Sequence, residues 1–240
     1  MLRFALILFV LSASLIFAGD AEDRRDADKK ALAAVKGYVG DWKGVGGGRG
    51  DSAKDSWAEE AEWGWEFKGG RAAIVFTSAN GHFYTAGRLE PADKPGQFKF
   101  TGTLPGGKSK EEFAGEVKTE GDNKGDLVLL NDSAAAGRPT RLTLSLVAKG
   151  ARLVTTYEKS VRKGTFAPMA EVGLTLKGSG FGKSIDMREC VVTGGTGKIA
   201  VSYKGTTYYV CCGGCRDEFN ENPDKVMAAW KKSKEENMKK

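Results

Sequence analysis

The feature that most constrains the fold is a two-residue alternation of apolar and polar side chains, which recurs along the middle of the chain. Trp63 and Trp65 alternate with glutamate and glycine, Phe98 and Phe100 alternate with lysine and threonine, and the segment 142–146 alternates leucine with threonine and serine. Successive side chains of a strand point to opposite faces. The alternation therefore predicts strands that each bury one face.

Turn sequences separate these runs at regular intervals, and the 33 glycines and 6 prolines of the chain suit short strands joined by tight turns. Lys68-Gly69-Gly70 is one such turn. Asn80-Gly81 predicts a type I′ hairpin, because both central residues of that turn need a positive φ. We count nine or ten strands between Tyr38 and Lys177, with no helical crossover between them. The chain is therefore expected to be mainly β, with an antiparallel up-and-down β-barrel or sandwich.

A short motif opens the first of these strands. Gly40-Asp41-Trp42 follows a short helical stretch and resembles the Gly-x-Trp signature of lipocalin-like, calycin-type barrels. The resemblance implies that Gly40 and Trp42 are structural and that the tryptophan plugs the closed end of the barrel. It also implies that the barrel interior holds a small apolar ligand.

The N-terminus has the layout of a secretory signal peptide. Arg3 supplies a positive start, an uncharged apolar run covers 4–17, the small residues Ala18 and Gly19 follow, and charge begins at Asp20. The run is short for a membrane span. We predict export to the periplasm or the exterior and no stable membrane insertion after cleavage, with an uncleaved anchor as the alternative.

The remaining chain divides into segments of different composition. A Gly/Ser-rich stretch at 178–184 is the best domain boundary, and the net charge of +6 is spread without a basic block, which argues against a nucleic-acid partner. The predicted segments are a signal peptide at 1–19, an N-terminal helix or arm at 20–37, a barrel domain at 38–177, a small α+β cysteine module at 185–232 and a charged tail at 233–240.

All four cysteines lie in the last quarter of the chain, as Cys190, Cys211, Cys212 and Cys215. A predicted hairpin at 199–210 runs directly into the last three. Neighbouring strand residues point to opposite faces, so Cys211 and Cys212 are not expected to aim at the same ion. The Gly-Gly pair before Cys215 permits a reversal that carries this residue back beside Cys211, at a helix N-terminus that favours thiolate. We predict a site of Cys190, Cys211 and Cys215, with Cys212 as an auxiliary ligand or a buried thiol.

The surrounding residues add a second resemblance. The Cys-x20-Cys-x3-Cys spacing resembles that of the TRASH domain and the related YHS domain. The matching positions are Tyr203, Gly205, Tyr208 and Tyr209 in the hairpin, then Phe219 and Asn222-Pro223-Asp224-Lys225 after the cysteines. The resemblance implies a small treble-clef-like module associated with metal sensing, trafficking or resistance.

Three functions remain open from the sequence. Three thiolates suit Cu(I), or zinc with a fourth donor from Cys212, water or a partner, so the first is an exported protein that captures, buffers or senses a thiophilic metal. The second is a lipocalin-like carrier of a small apolar ligand whose cysteine module is a disulfide or zinc staple, since an exported protein meets an oxidising compartment. The third is a thiol oxidoreductase acting through Cys211 or Cys215. No catalytic residue is predicted, because His82 is the only histidine and lies beside a turn.

Overall fold

The central part of the chain is a closed barrel of ten antiparallel strands. The computed structural model describes residues 10–48, 55–179 and 188–238, so 1–9 of the predicted signal peptide and most of the predicted linker at 178–184 lie outside it. Each strand pairs with its neighbours in sequence, and the tenth closes against the first. The strands are β1 Gly40–Gly48, β2 Ser56–Lys68, β3 Arg71–Thr77, β4 Ala86–Pro91, β5 Gln97–Thr103, β6 Lys110–Val117, β7 Leu127–Leu130, β8 Arg141–Val147, β9 Arg152–Arg162 and β10 Thr165–Leu176. The predicted up-and-down barrel is confirmed, and the sandwich alternative is wrong.

The barrel interior is filled by the side chains that the alternation placed on one face. Trp63, Trp65, Phe98 and Phe100 are all buried, as are the leucines at 142 and 144. The rings of Trp63 and Phe76 stack across the β2–β3 pair with their centroids 4.8 Å apart. Offset ring stacking of this kind adds stabilisation beyond the area that is buried. The interior is therefore a packed aromatic core.

The segment before β1 crosses one end of the barrel. A 3-10 helix, Leu32–Tyr38, buries Leu32, Val35 and Tyr38. The Tyr38 ring lies 5.9 Å from that of Trp63 on β2, and its hydroxyl donates to the Leu144 carbonyl of β8 at 3.1 Å. Because β2 and β8 lie on different sides of the barrel, this tyrosine spans its end. The fully buried Trp42 donates its indole N–H to the Tyr38 carbonyl at 2.8 Å and fixes the segment there.

Replacing Trp42 with phenylalanine is expected to lower the free energy of unfolding by about 1–3 kcal/mol, because the buried Tyr38 carbonyl loses its partner. Denaturant unfolding followed by fluorescence measures this change. Val45 on the same strand is 62% exposed, so Val45→Ala is the control and should change stability little. Equal losses in the two variants would contradict the role assigned to the Trp42 hydrogen bond.

The prediction of a type I′ turn at Asn80-Gly81 is wrong. Neither residue has a positive φ, and the connection from β3 to β4 runs over 78–85. The side chain of Asn80 instead pairs with the backbone of β2, accepting from the Glu60 N–H at 3.1 Å and donating to the Ala58 carbonyl at 2.7 Å. This tertiary pairing takes the place of the local turn. His82 is exposed on the same loop, where it stacks on Trp57.

A smaller unit of two strands and two helices follows the barrel. Its elements are β11 Ile199–Tyr203, β12 Thr206–Val210, α2 Gly213–Glu221 and α3 Pro223–Met238. The two strands form the predicted hairpin, and its turn residues Lys204 and Gly205 both have positive φ. The helices separate at Asn222, as the Asn-Pro pair predicts, and the Asn222 side chain accepts the Lys225 N–H in the first turn of α3.

Helix α1, Val10–Ala31, runs through the junction predicted between signal peptide and arm. Asp28 accepts two hydrogen bonds from the Arg71 guanidinium and one from the Ala72 N–H, which ties the helix to β3. Arg25 pairs with Glu218 of α2 at 2.7 Å. The same helix thus contacts both the barrel and the cysteine-bearing unit. Within the described ranges, no helix has the length and apolar content needed to cross a bilayer.

Candidate metal centre

Three of the four cysteines meet at one point. The sulfur atoms of Cys190, Cys211 and Cys215 all lie within 4.8 Å of one another, and the Cys211 and Cys215 sulfurs are 3.4 Å apart. Cys190 and Cys215 are fully buried, and Cys211 is 6% exposed. No disulfide joins any of these four cysteines, all of which the structure describes. The arrangement is a buried cysteine cluster that could hold a metal ion.

Backbone pairing brings Cys190 to this point from a separate segment. Cys190 forms a parallel bridge with Tyr209, and the Val191 N–H donates to the Tyr209 carbonyl at 3.0 Å. The segment therefore lies along the edge of β12 that β11 leaves open, two residues before Cys211. A tight turn follows, in which the Gly194 N–H bonds the Cys190 carbonyl at 2.8 Å. Gly194 has a φ of 68°, a conformation that glycine adopts without steric cost.

The other two ligand candidates flank the Gly-Gly turn. Cys211 immediately follows β12, and Cys215 lies in the first turn of α2, which begins at Gly213. The Arg216 N–H bonds the Cys212 carbonyl at 3.0 Å and closes that first turn. The change from strand to helix within four residues returns the Cys215 sulfur to that of Cys211, the reversal that the Gly-Gly pair permits.

Cys212 borders this group of three but does not belong to it, and it bonds to the barrel. Its sulfur is 3.8 Å from that of Cys211, but it accepts a hydrogen bond from the backbone N–H of Trp65 at 3.2 Å. Strand β1 pairs with β2 only as far as Trp63, so the edge of β2 beyond that residue has no β1 partner. The cysteine turn covers this edge. Cys212 is thus placed as a buried docking thiol.

The cysteines of this region shift one another's thiol pKa values. Hydrogen bonds from Cys211 and then Cys215 lower the pKa of the Cys190 thiol, and the same two neighbours lower that of Cys212. Burial, followed by hydrogen bonding to Cys190, raises the pKa of Cys215. The lowered pKa of Cys190 favours the thiolate form of this residue. Thiolate is the form of cysteine that binds metals.

The sulfur spacing fits the size of a thiophilic ion. With metal–sulfur bonds of about 2.3 Å, sulfurs are about 3.8 Å apart in a tetrahedral site and about 4.0 Å apart in a planar trigonal site. The observed separations begin at 3.4 Å and stay within 4.8 Å, so they bracket both values. Shifts of a few tenths of an ångström would bring the three sulfurs onto one ion.

Thr193 is a fourth polar group at the cluster that the sequence did not single out. Its hydroxyl oxygen lies 3.4 Å from the Cys190 sulfur, 3.6 Å from that of Cys211 and 3.9 Å from that of Cys215. Threonine carries no spacing signal of its own. The only indication is its position three residues after Cys190 and just before Gly194-Gly195, where a turn returns the chain to the cysteine.

The barrel interior offers little room for an apolar ligand. Its internal cavity measures about 30 Å³ and is bordered by Glu59, Trp63, Phe76 and Tyr157, among others. Pockets that bind small organic molecules usually enclose about 300–1,000 Å³. Burial raises the pKa of Glu59, whose carboxylate accepts the Trp57 indole N–H at 2.9 Å. The described cavity is much smaller than that range.

Comparison with known proteins identifies neither a family nor a curated relative. No family model matches the chain, and no curated protein matches it. Among solved structures, the chain is similar to the crystal structure of Rv2717c from M. tuberculosis, with 19% sequence identity and a TM-score of 0.39. The match covers 61% of this chain and 97% of that one.

Proposed function

We propose that this protein is an exported metal-binding protein that captures, buffers or senses a thiophilic ion, zinc or Cu(I), through Cys190, Cys211 and Cys215. The observation that carries the proposal is the convergence of three buried sulfurs from two separate segments within 4.8 Å. Soft thiolate ligands favour Cu(I) and zinc over the hard ions magnesium and calcium. The TRASH-like and YHS-like spacing of the cysteines supports the same role.

The environment of the cluster favours metal binding over disulfide exchange. An exchanging thiolate must meet a substrate disulfide, so reactive cysteines are partly exposed. Here Cys190 and Cys215 are fully buried, and Cys211 and Cys212 are less than a tenth exposed. A small ion reaches such a site more readily than a protein or peptide disulfide does. The metal-binding role therefore ranks above that of a thiol oxidoreductase.

Metal content and thiol count together test the proposal. The full chain, purified anaerobically and loaded with excess zinc or Cu(I), is expected to retain one ion per chain after desalting. Four free thiols should be found once the metal has been removed and the protein unfolded. The control is the same loading with magnesium, which should not be retained because its ligands are oxygens.

One combination of results would contradict the metal-binding proposal. If the protein retained neither thiophilic ion, and if its thiols were oxidised when it was isolated from an export host, the metal-binding role would be wrong. The cysteines would then form a disulfide staple. Export itself is tested by expressing the chain with residues 1–19 intact and sequencing the mature N-terminus. A protein found uncleaved in the cytoplasm would contradict it.

A further inference from the structure

Thr193 stands where the fourth ligand of a tetrahedral ion would be. An ion held by sulfur at about 2.3 Å and by oxygen at about 2.0 Å places that oxygen about 3.5 Å from each sulfur. The Thr193 hydroxyl oxygen lies 3.4, 3.6 and 3.9 Å from the three sulfurs, so it matches this vertex for all of them at once.

The backbone holds Thr193 in this position. The Cys190 N–H donates to the Gly195 carbonyl at 2.7 Å, and the Gly194 N–H donates back to the Cys190 carbonyl at 2.8 Å. These two bonds close the turn around the threonine. Lys36 reaches the Gly194 carbonyl from the 3-10 helix at 3.3 Å. The hydroxyl is thus presented to the sulfurs by a constrained loop.

Thr193 also lies on the solvent side of the cluster. It is half-buried and Gly194 is exposed, whereas the Cys190 and Cys215 sulfurs beneath are inaccessible. The Cys212 sulfur, the other donor nearby, is engaged by the Trp65 N–H. Among the described residues, the candidate cluster contains no other histidine, cysteine or carboxylate. The Thr193 hydroxyl thus approaches all three sulfurs, whereas the Cys212 sulfur has a partner on the barrel.

We infer that Thr193 is the residue that determines metal preference at this site, because its hydroxyl is a weak fourth donor. It supports zinc less than a fourth thiolate would and more than an apolar side chain would, whereas Cu(I) affinity depends mainly on the three sulfurs. Zinc in closed protein sites takes four strong ligands, so a weak hydroxyl in the fourth position lowers its affinity. Cu(I) binds well to a few soft sulfur ligands, and a fourth donor adds little to its affinity. This inference rests on the proposed metal-binding function.

Three substitutions in the full chain test the inference by competition titrations with Cu(I) and zinc. Thr193→Cys supplies a fourth thiolate and is expected to raise zinc affinity by at least about tenfold, which is the size of effect that substitutions beside a metal site typically have. Its Cu(I) affinity should stay within about threefold of that of the unmodified chain. Thr193→Val keeps the shape but removes the oxygen, so zinc affinity should fall while Cu(I) affinity holds. Thr193→Ser keeps the hydroxyl and should retain the preference of the unmodified chain.

The absorption spectrum of the cobalt(II)-substituted protein separates a ligand role from a purely structural one, because a purely structural role of Thr193 would leave the spectrum unchanged. Sulfur-to-cobalt charge-transfer absorption should rise from that of three thiolates to that of four in Thr193→Cys, and it should stay unchanged in Thr193→Ser. If zinc and Cu(I) affinities changed equally in Thr193→Cys and in Thr193→Val, or if neither affinity changed, the inference would be wrong. The proposed metal-binding function would be unaffected by that result. Failure of the unmodified chain to bind either ion would overturn the function itself.

Discussion

Replacing Cys190 with serine is expected to reduce zinc or Cu(I) affinity by more than about a hundredfold, beyond the 10-to-100-fold that changes in residues supporting a ligand typically cost. Cys190 is the one sulfur that comes from outside the Cys211–Cys215 turn, and its loss leaves two ligands on a single loop. Serine is nearly the same size, so its fully buried position remains filled. Isothermal titration or chelator competition measures the change.

Cys212→Ser is the matched control for this prediction. It removes a thiol from the same turn, but one that is hydrogen-bonded to Trp65 and lies outside the group of three. Metal affinity should stay within about tenfold, the lower bound for residues that only orient a ligand. If Cys212→Ser abolished binding while Cys190→Ser did not, the assignment of ligand and docking thiol would have to be exchanged.

Replacing Gly214 with alanine is expected to separate the cysteine turn from the barrel and to lower the free energy of unfolding by about 1–3 kcal/mol, as overpacking of a close contact does. A Cβ on Gly214 would overlap the carbonyl oxygen of Trp65. That oxygen belongs to strand β2, which is held on its other edge by β3 and has little freedom to retreat. Denaturant unfolding measures the loss.

The neighbouring glycine provides the control. A Cβ on Gly213 meets nothing within 4 Å, although it adds the same methyl group to the same helix. Gly213→Ala should therefore be neutral or stabilising by up to about 1 kcal/mol, through reduced freedom of the unfolded chain. The rate at which Cys212 reacts with a thiol reagent should rise only in Gly214→Ala. Equal stability of the two variants would show that the turn does not pack on β2 as described.

The contact between Gly214 and Trp65 also explains why metal binding and barrel stability are expected to be linked. Cys211 and Cys215 flank a turn whose middle bonds to the barrel through the Cys212 sulfur. An ion that fixes the two outer sulfurs also fixes this turn, and a ligand that binds only the folded state stabilises it by mass action. The barrel supplies the rigid surface on which the cysteine turn is held.

The sequence by itself determined the features that depend on local pattern. Alternation at Trp63 and Trp65 specified a strand and its buried face, because side chains of a strand point to opposite sides whatever its partners are. The same rule separated Cys212 from Cys211, and the Gly-Gly pair indicated the reversal to Cys215. Only the tertiary structure decided that the sheet closes as a barrel filled by its own aromatic rings, and that Asn80 pairs with β2 in place of a local turn.

The positions of Thr193 and Cys212 were likewise determined only by the tertiary structure. The Thr193 hydroxyl reaches three sulfurs because two segments about 20 residues apart lie side by side on β12, a pairing that spacing does not reveal. Cys212 meets Trp65 because β1 ends its pairing at Trp63 and leaves an N–H that needs an acceptor. Side-chain direction is local and can be predicted from the sequence, whereas the partner on the other side is set by packing between distant segments.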